Sequence, residues 1–343
     1  MIDQSGKTIR LMGETHHLSV ITWVRNNAVR ALVSLMLLGT QVAAWGETYA
    51  QKLGWPEGSR VLILHVDDAG MSHESNQGAW RAIRNGVANS VSVMMPTPWV
   101  PEFAQILKAH PEIDAGLHLT LNAEWNQYRW GPLAGKPAVP SLVDQEGALW
   151  ATVEEVMQHG TVAHVAQEIA AQLERARTMG FEPTHLDSHM GTLFATPEFL
   201  QSYIELGVKH QIPIMFPGGH NFYAQQDYGE RAAAAAVATG EQIWAAGLPV
   251  LDDLHNSSYG WVREEKIRRY VEAIRELRPG VTMMIMHCST ESENFQHIST
   301  SGPSRYGDLD AMLSPEVANA LMEEQIILTT WRELMERRQA LGK

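Results

Sequence analysis

The 343-residue sequence predicts an α/β protein of about seven to eight mostly parallel strands joined by crossover helices, in a closed barrel or a doubly wound sheet. Three observations carry this. Short apolar runs rich in β-branched residues alternate, about eight times, with longer segments of helical spacing. The runs are almost continuously hydrophobic, as strands covered on both faces are. Polar residues able to do chemistry collect where the runs end, and parallel α/β folds place their sites at strand ends.

The N-terminus comes first and stands apart. Arg25 and Arg30 precede the apolar run "ALVSLMLLG", and small residues follow in "TQVAAWGETYA". Residues 1–44 therefore read as a signal peptide or N-terminal anchor, with Met12 as an alternative start; the run is too short to span a bilayer. The expected destination is the periplasm or the exterior, with membrane contact only if the segment is retained. Cys288 is the one cysteine, so the fold relies on its core rather than on disulfides. Removing residues 1–44 takes the formal charge from −13 to −15, an acidic body that repels phosphate backbones and excludes nucleic acid as a partner.

The strand candidates follow in order: "VLILHV" (61–66), "SVSVMM" (90–95), "IDAGLHLT" (113–120), "THLDSH" (184–189), "IPIMF" (212–216), "LPVLDD" (248–253), "VTMMIMH" (281–287) and "QIILTT" (325–330). Helices are expected over 76–85, 101–109, 153–179, 197–210, 229–245, 263–277, 315–324 and 331–340. No repeat and no linker divides the chain, so 55–340 is expected to be a single domain. The segment 121–150 has no clear element and holds Trp125, Tyr128, Trp130 and Trp150 among prolines and glycines; an insertion of that length is expected to be a lid.

Asp67 and Asp68 close the first run, His118 sits late in the third, and His185, Asp187 and His189 fall in the fourth. Asp252, Asp253 and His255 close the sixth and His287 the seventh. At a strand's period of two, the residues of "HLDSH" point to one face, about 6.6 Å apart per pair. Such a row is costly to bury alone; either a metal ion joins it, with Asp187 orienting a ligating imidazole, or it is a hydrogen-bonded strand end. His118 taken alone reads as a core histidine as readily as a ligand. The adjacent aspartates read either as a turn pair before Gly70 or as a ligand and a base, because a cation on one relieves the repulsion between them. One aspartate and two histidines form a three-ligand set with open positions, suited to polarising water and a substrate oxygen. His287 is expected across the ring as a proton donor. Cys288 beside it lacks an electropositive setting and is not read as a nucleophile. Several of the eleven tryptophans fall near loops, where they could stack on sugar rings or simply pack.

Taken in order, "VLILHVDDAGMS", "NSVSVMMPTPWVPEF", "DAGLHLTL", "PTHLDSHMG", "VTMMIMH" and "SPEVANALMEEQIILTTWRELME" resemble the YdjC-like carbohydrate deacetylases, which include chitooligosaccharide and hopanoid-linked deacetylases. The resemblance runs from about residue 60 to 337. It implies a distorted (β/α) barrel of the deacetylase type, one divalent metal ion, and hydrolysis of acetyl groups from N-acetylated mono- or oligosaccharides. Carried over by position, it makes Asp67 the general base and Asp68, His118 and His189 the metal ligands. His287 becomes the acid, with His185 and Asp187 as supporting or alternative ligands. Imidazole ligation favours zinc or iron, whereas the resemblance points to magnesium, so Mg or Zn is the expected cofactor. The sequence departs from the family in "DDAG" where D-D-F-G is usual, in Gly191 where a histidine is common, and in "CST" after His287. Rival readings are a metal-dependent hydrolase of another ester or phosphate bond, or an exported sugar-binding protein on a decayed scaffold. Assembly into a homo-oligomer is left open.

Overall fold

The computed structural model describes residues 46–342, so the expected signal or anchor over 1–44 lies outside them. Its strands are β1 (Arg60–Ala69), β2 (Ser90–Val93), β3 (Ala115–Leu119), β4 (Leu186–Ser188), β5 (Asp253–His255), β6 (Gly280–Met286) and β7 (Ile327–Leu328). All of their pairings are parallel, in the order β4-β3-β2-β1-β6-β5, with β7 beside the start of β1. The expected strand "IPIMF" is present only as single bridges, Leu186 to Ile214 and Pro217 to Leu251. Pro213 and Pro217 have no N–H to give, which prevents a continuous ladder. These bridges still connect β4 to the segment leading into β5, and so curl the sheet into a distorted barrel. The sixth strand lies later than expected, at Asp253–His255.

β1 shows how the sheet is layered. Leu62, Leu64 and Val66 belong to the larger apolar core, between sheet and helices. Val61 and Ile63 belong to a smaller cluster with Val281, Met283, Leu251 and Trp331, which fills the base of the barrel interior. His65 and Asp67 continue the inward parity of Val61 and Ile63, so the barrel lining changes from apolar to polar partway up β1. His287 holds the same place after Val281 and Met283 on β6.

The helices follow the expected spans with four differences, the first being the one-turn helix Tyr49–Lys52. The long 153–179 segment breaks into Val153–His159 and Val162–Thr178 around Gly160, each piece capped by a threonine, Thr152 and Thr161. Phe222–Tyr228 and Gly302–Met312 are additional helices. Gly302–Met312 escaped the spacing argument because it buries Arg305 and Asp308 as well as Leu309 and Met312, leaving no apolar stripe of helical period. The 121–150 segment is a packed wall rather than a bare lid. Leu121, Trp130, Val139 and Leu149 enter the main core. Glu168 accepts from the backbone N–H groups of Leu133 and Ala134 at 3.0 and 2.9 Å. Among the described residues no helix is long and apolar enough to cross a membrane.

Candidate metal centre

Regular strand alternation would send Asp67 and Asp68 to opposite faces. The pairing of β1 with β2 slips between Val66 and Ala69, and Asp68 adopts a left-handed backbone with φ 66°. This bulge brings the second carboxylate back beside the first. A left-handed residue other than glycine costs on the order of 1–3 kcal/mol, so something must hold it there. Arg305 does: its buried guanidinium lies 2.7 Å from Asp68 Oδ2.

Three sequence-predicted residues converge on the other oxygen. Asp68 Oδ1 lies 3.3 Å from His118 Nε2 and 3.4 Å from His189 Nδ1, and the two nitrogens are 3.2 Å apart. The far nitrogens face carboxylates: His118 Nδ1 is 2.7 Å from Asp187 Oδ1, and His189 Nε2 is 3.1 Å from Glu124 Oε2. A carboxylate accepts, so the outward nitrogens carry protons and the inward ones present lone pairs. Asp68 Oδ1 has no hydrogen-bond partner. With the rings neutral, these inward lone pairs would be costly to bury facing Asp68 Oδ1, and a proton or a metal ion between them removes the cost. One oxygen and two imidazole nitrogens, each ring backed by a carboxylate, fit a divalent ion with positions left open.

The electrostatics agree. Burial works against charge on both rings, but the surrounding carboxylates outweigh it, raising His118 well above the usual imidazole range and His189 to about 9. Burial also opposes ionisation of Asp68, yet Arg305 and the two histidines hold its carboxyl well below the ordinary range. The pocket attracts positive charge, and a metal ion would displace protons on entering.

His287 is not across the ring, as its strand order suggested. β6 pairs directly with β1, so His287 stands beside Asp67, with Nε2 3.7 Å from Oδ2. Its backbone N–H donates to Asp308 Oδ2 at 3.0 Å, the Tyr259 ring meets it at 4.8 Å, and burial lowers its pKa. His185 does not join the converging set. It lies deeper, stacked on Trp331 at 5.3 Å, in space that Gly116 leaves open; a Cβ there would meet the imidazole at 2.5 Å. Burial lowers its pKa to about 4, and the neighbouring His65 adds to the effect. Asp187 sits between the two levels and orients His118. The aspartates after the sixth run serve the backbone instead: Asp252 accepts from the N–H groups of Tyr49, Ala50 and Val281, and Asp253 from those of Tyr223 and Leu254. His255 is buried between the rings of Tyr223 and Trp261.

Sequence reasoning missed His65, Glu124, Arg305 and Asp308. His65 had a usable signal, since it is two residues before Asp67 on the same strand face. The others come from the unrecognised helix and from the irregular wall, where spacing says nothing about direction.

The family model described as YdjC-like protein matches residues 61–323. A carbohydrate deacetylase from Thermus thermophilus is 29% identical over 280 residues, covering 81% of this chain and 95% of that protein. A chitooligosaccharide deacetylase from Klebsiella pneumoniae is 34% identical over 135 residues, 38% of this chain and 49% of its own length. The crystal structure of an Enterococcus faecalis protein named for cellobiose-phosphate cleavage superposes with a TM-score of 0.67 at 23% identity, covering 80% of this chain and 99% of that one. That likeness extends the barrel architecture to a solved relative.

Proposed function

The chain belongs to the YdjC-like family, and from that premise we propose that it is a metal-dependent carbohydrate deacetylase, releasing acetate from N-acetylated mono- or oligosaccharides. The observation that carries the reading is the convergence of Asp68 Oδ1, His118 Nε2 and His189 Nδ1 beside an aspartate and a histidine that are not needed as ligands. The relatives named as deacetylases support the choice of substrate class.

Asp68, His118 and His189 would hold the cation. A divalent ion bound there supplies Lewis acidity to an amide carbonyl and makes water a stronger acid. Asp67 is the base: Oδ1 is engaged by His65 and Ser92, so Oδ2 is the oxygen free to take a proton from the attacking water. His287, kept neutral by burial, can receive that proton across 3.7 Å and deliver it to the amine nitrogen. The bond from water oxygen to the acetyl carbon forms, the C–N bond breaks, and one proton moves from water to nitrogen by way of the Asp67–His287 pair. Arg305 keeps Asp68 ionised and turned inward throughout. Trp125 and Tyr259, with rings 5.9 and 5.6 Å from the Arg305 guanidinium, flank the pocket as platforms for a sugar face.

Two imidazole donors favour zinc and the family resemblance favours magnesium; metal analysis of the purified protein decides between them. Export, argued from the N-terminal segment, is tested by the mass of the mature protein. The function is tested by acetate release from N-acetylated and O-acetylated sugars, before and after chelation, alongside a phosphodiester panel. Chelator-sensitive acetate release from N-acetyl sugars is expected. Phosphate release without acetate would replace this reading with that of a phosphoesterase.

A further inference from the structure

We infer that His65 is a positioning residue for both halves of the site, one buried imidazole that holds the base and the ligand-orienting carboxylate at once. The inference rests on the deacetylase reading for the meaning of Asp67 and on geometry alone for the rest. His65 is wholly buried. Its Nε2 lies 2.9 Å from Asp187 Oδ2, 3.1 Å from Asp67 Oδ1 and 3.0 Å from Ser92 Oγ. Its Nδ1 lies 2.9 Å from Ser90 Oγ, which donates to Asp114 Oδ2 at 2.8 Å. Asp114 in turn accepts from the N–H groups of Trp331 and Arg332, at 3.1 and 3.0 Å, where the last helix, Trp331–Ala340, begins. A continuous polar chain therefore runs from that helix start up to the reacting groups, with His65 as its last movable member.

Two consequences follow from this placement. With Oδ1 of Asp67 engaged from below, the carboxylate cannot swing, and Oδ2 stays toward His287. Asp187 Oδ2, an ion-pair contact 2.9 Å from His65 Nε2 with no hydrogen bond of its own, is held toward that ring, which turns Oδ1 to His118 Nδ1 and, in the neutral ring, leaves Nε2 facing Asp68. Losing His65 would free both carboxylates in one step. The base would lose its aim, and His118 would lose the partner geometry that selects its tautomer. Carboxylates that orient metal-binding histidines typically matter by about 10–100-fold in affinity, and His65 acts one bond further out on that same chain.

The experiment compares His65→Leu, His65→Gln and Ser90→Ala with the native protein, reading Zn2+ affinity by calorimetry on metal-free protein and kcat and KM on an N-acetylated chitooligosaccharide. Glutamine places an amide N–H near the position of Nε2 and should rescue; leucine cannot donate. For His65→Leu the expected result is Zn2+ binding weakened about tenfold, kcat lowered about 100-fold and KM within about twofold of native. His65→Gln should recover most of both losses, and Ser90→Ala should show the same pattern more weakly. If the leucine variant does not fold, the other two carry the test. The inference is overturned if the variants lose thermal stability while Zn2+ affinity and kcat stay native, or if glutamine is no better than leucine. Native protein that binds Zn2+ but releases no acetate would defeat the deacetylase reading, and the Zn2+ comparison among variants would still score His65.

Discussion

Two clusters of the same composition lie one above the other in the barrel: Asp68, His118 and His189 near the mouth, and Asp187, His65 and His185 below. Each offers one carboxylate and two imidazoles within 4.8 Å of one another, all buried. They differ in where their protons go. In the upper set both outward nitrogens donate to carboxylates, so each ring, when neutral, turns a lone pair inward toward Asp68 Oδ1. In the lower set His65 is hydrogen-bonded to serine hydroxyls at both nitrogens, and His185 is stacked on Trp331 with Nδ1 near Thr184 Oγ1, at 3.0 Å, while His185 Nε2 and Asp187 Oδ2 have no hydrogen-bond partner. Burial disfavours charge on His65, but its contacts with Asp187 and Asp67 prevail and raise its pKa to about 9, as the carboxylates around His189 do for that ring. Ligand type and proximity do not distinguish the two levels; the direction of the rings does, since both upper imidazoles are backed by carboxylates and turn toward one shared oxygen of Asp68, whereas His65 has serine hydroxyls at both nitrogens.

That comparison can be broken in several ways. Asp67→Asn removes the base from the upper level without touching its lone pairs, so kcat should fall about 10³-fold or more while Zn2+ affinity stays within a few-fold of native; calorimetry beside an acetate assay measures both. His189→Ala should weaken Zn2+ binding by more than about 100-fold, whereas His185→Phe in the lower set should leave it within about threefold. Equal losses in the two variants would erase the distinction between the levels. Glu124→Gln, which removes only the carboxylate behind His189, should cost about tenfold in Zn2+ affinity. The smallest effect sharpens the lower level. The folded pKa of His65, about 9, lies above its ordinary 6.5, so the stability it contributes is complete below pH 6.5 and is lost as pH rises through 9. Zn2+-loaded native protein, in which His189 no longer takes up protons, should melt lower by about a few degrees at pH 9.5 than at pH 6.5, and His65→Gln should flatten that slope.

Much of the site could be read from the chain because strand parity and strand ends are local properties. Asp67, Asp68, His118, His189 and His287 were all read at the ends of strands, and the structure brings them together, with His287 beside Asp67 rather than across the ring. The levels within "HLDSH" could not be read. A period of two puts His185, Asp187 and His189 on one face but not at one depth, and β4 ends at Ser188, so His189 turns into the upper set while His185 stays below. Arg305 was invisible because its helix buries charge and so lacks the periodicity by which helices are recognised.

Alternation of apolar runs with helical spacing, and acids and imidazoles at the run ends, determined the parallel α/β class and the strand ends that carry the polar groups, since both follow from burial and from the geometry of a single strand. Tertiary structure alone decided that two neighbouring aspartates would face the same pocket. A slipped register and a left-handed Asp68 reversed the alternation that sequence order would impose, and an arginine nearly 240 residues away holds the strained residue in place. A chain of covalent bonds sets which face a residue takes by default. Only contacts between distant segments can stabilise the exception.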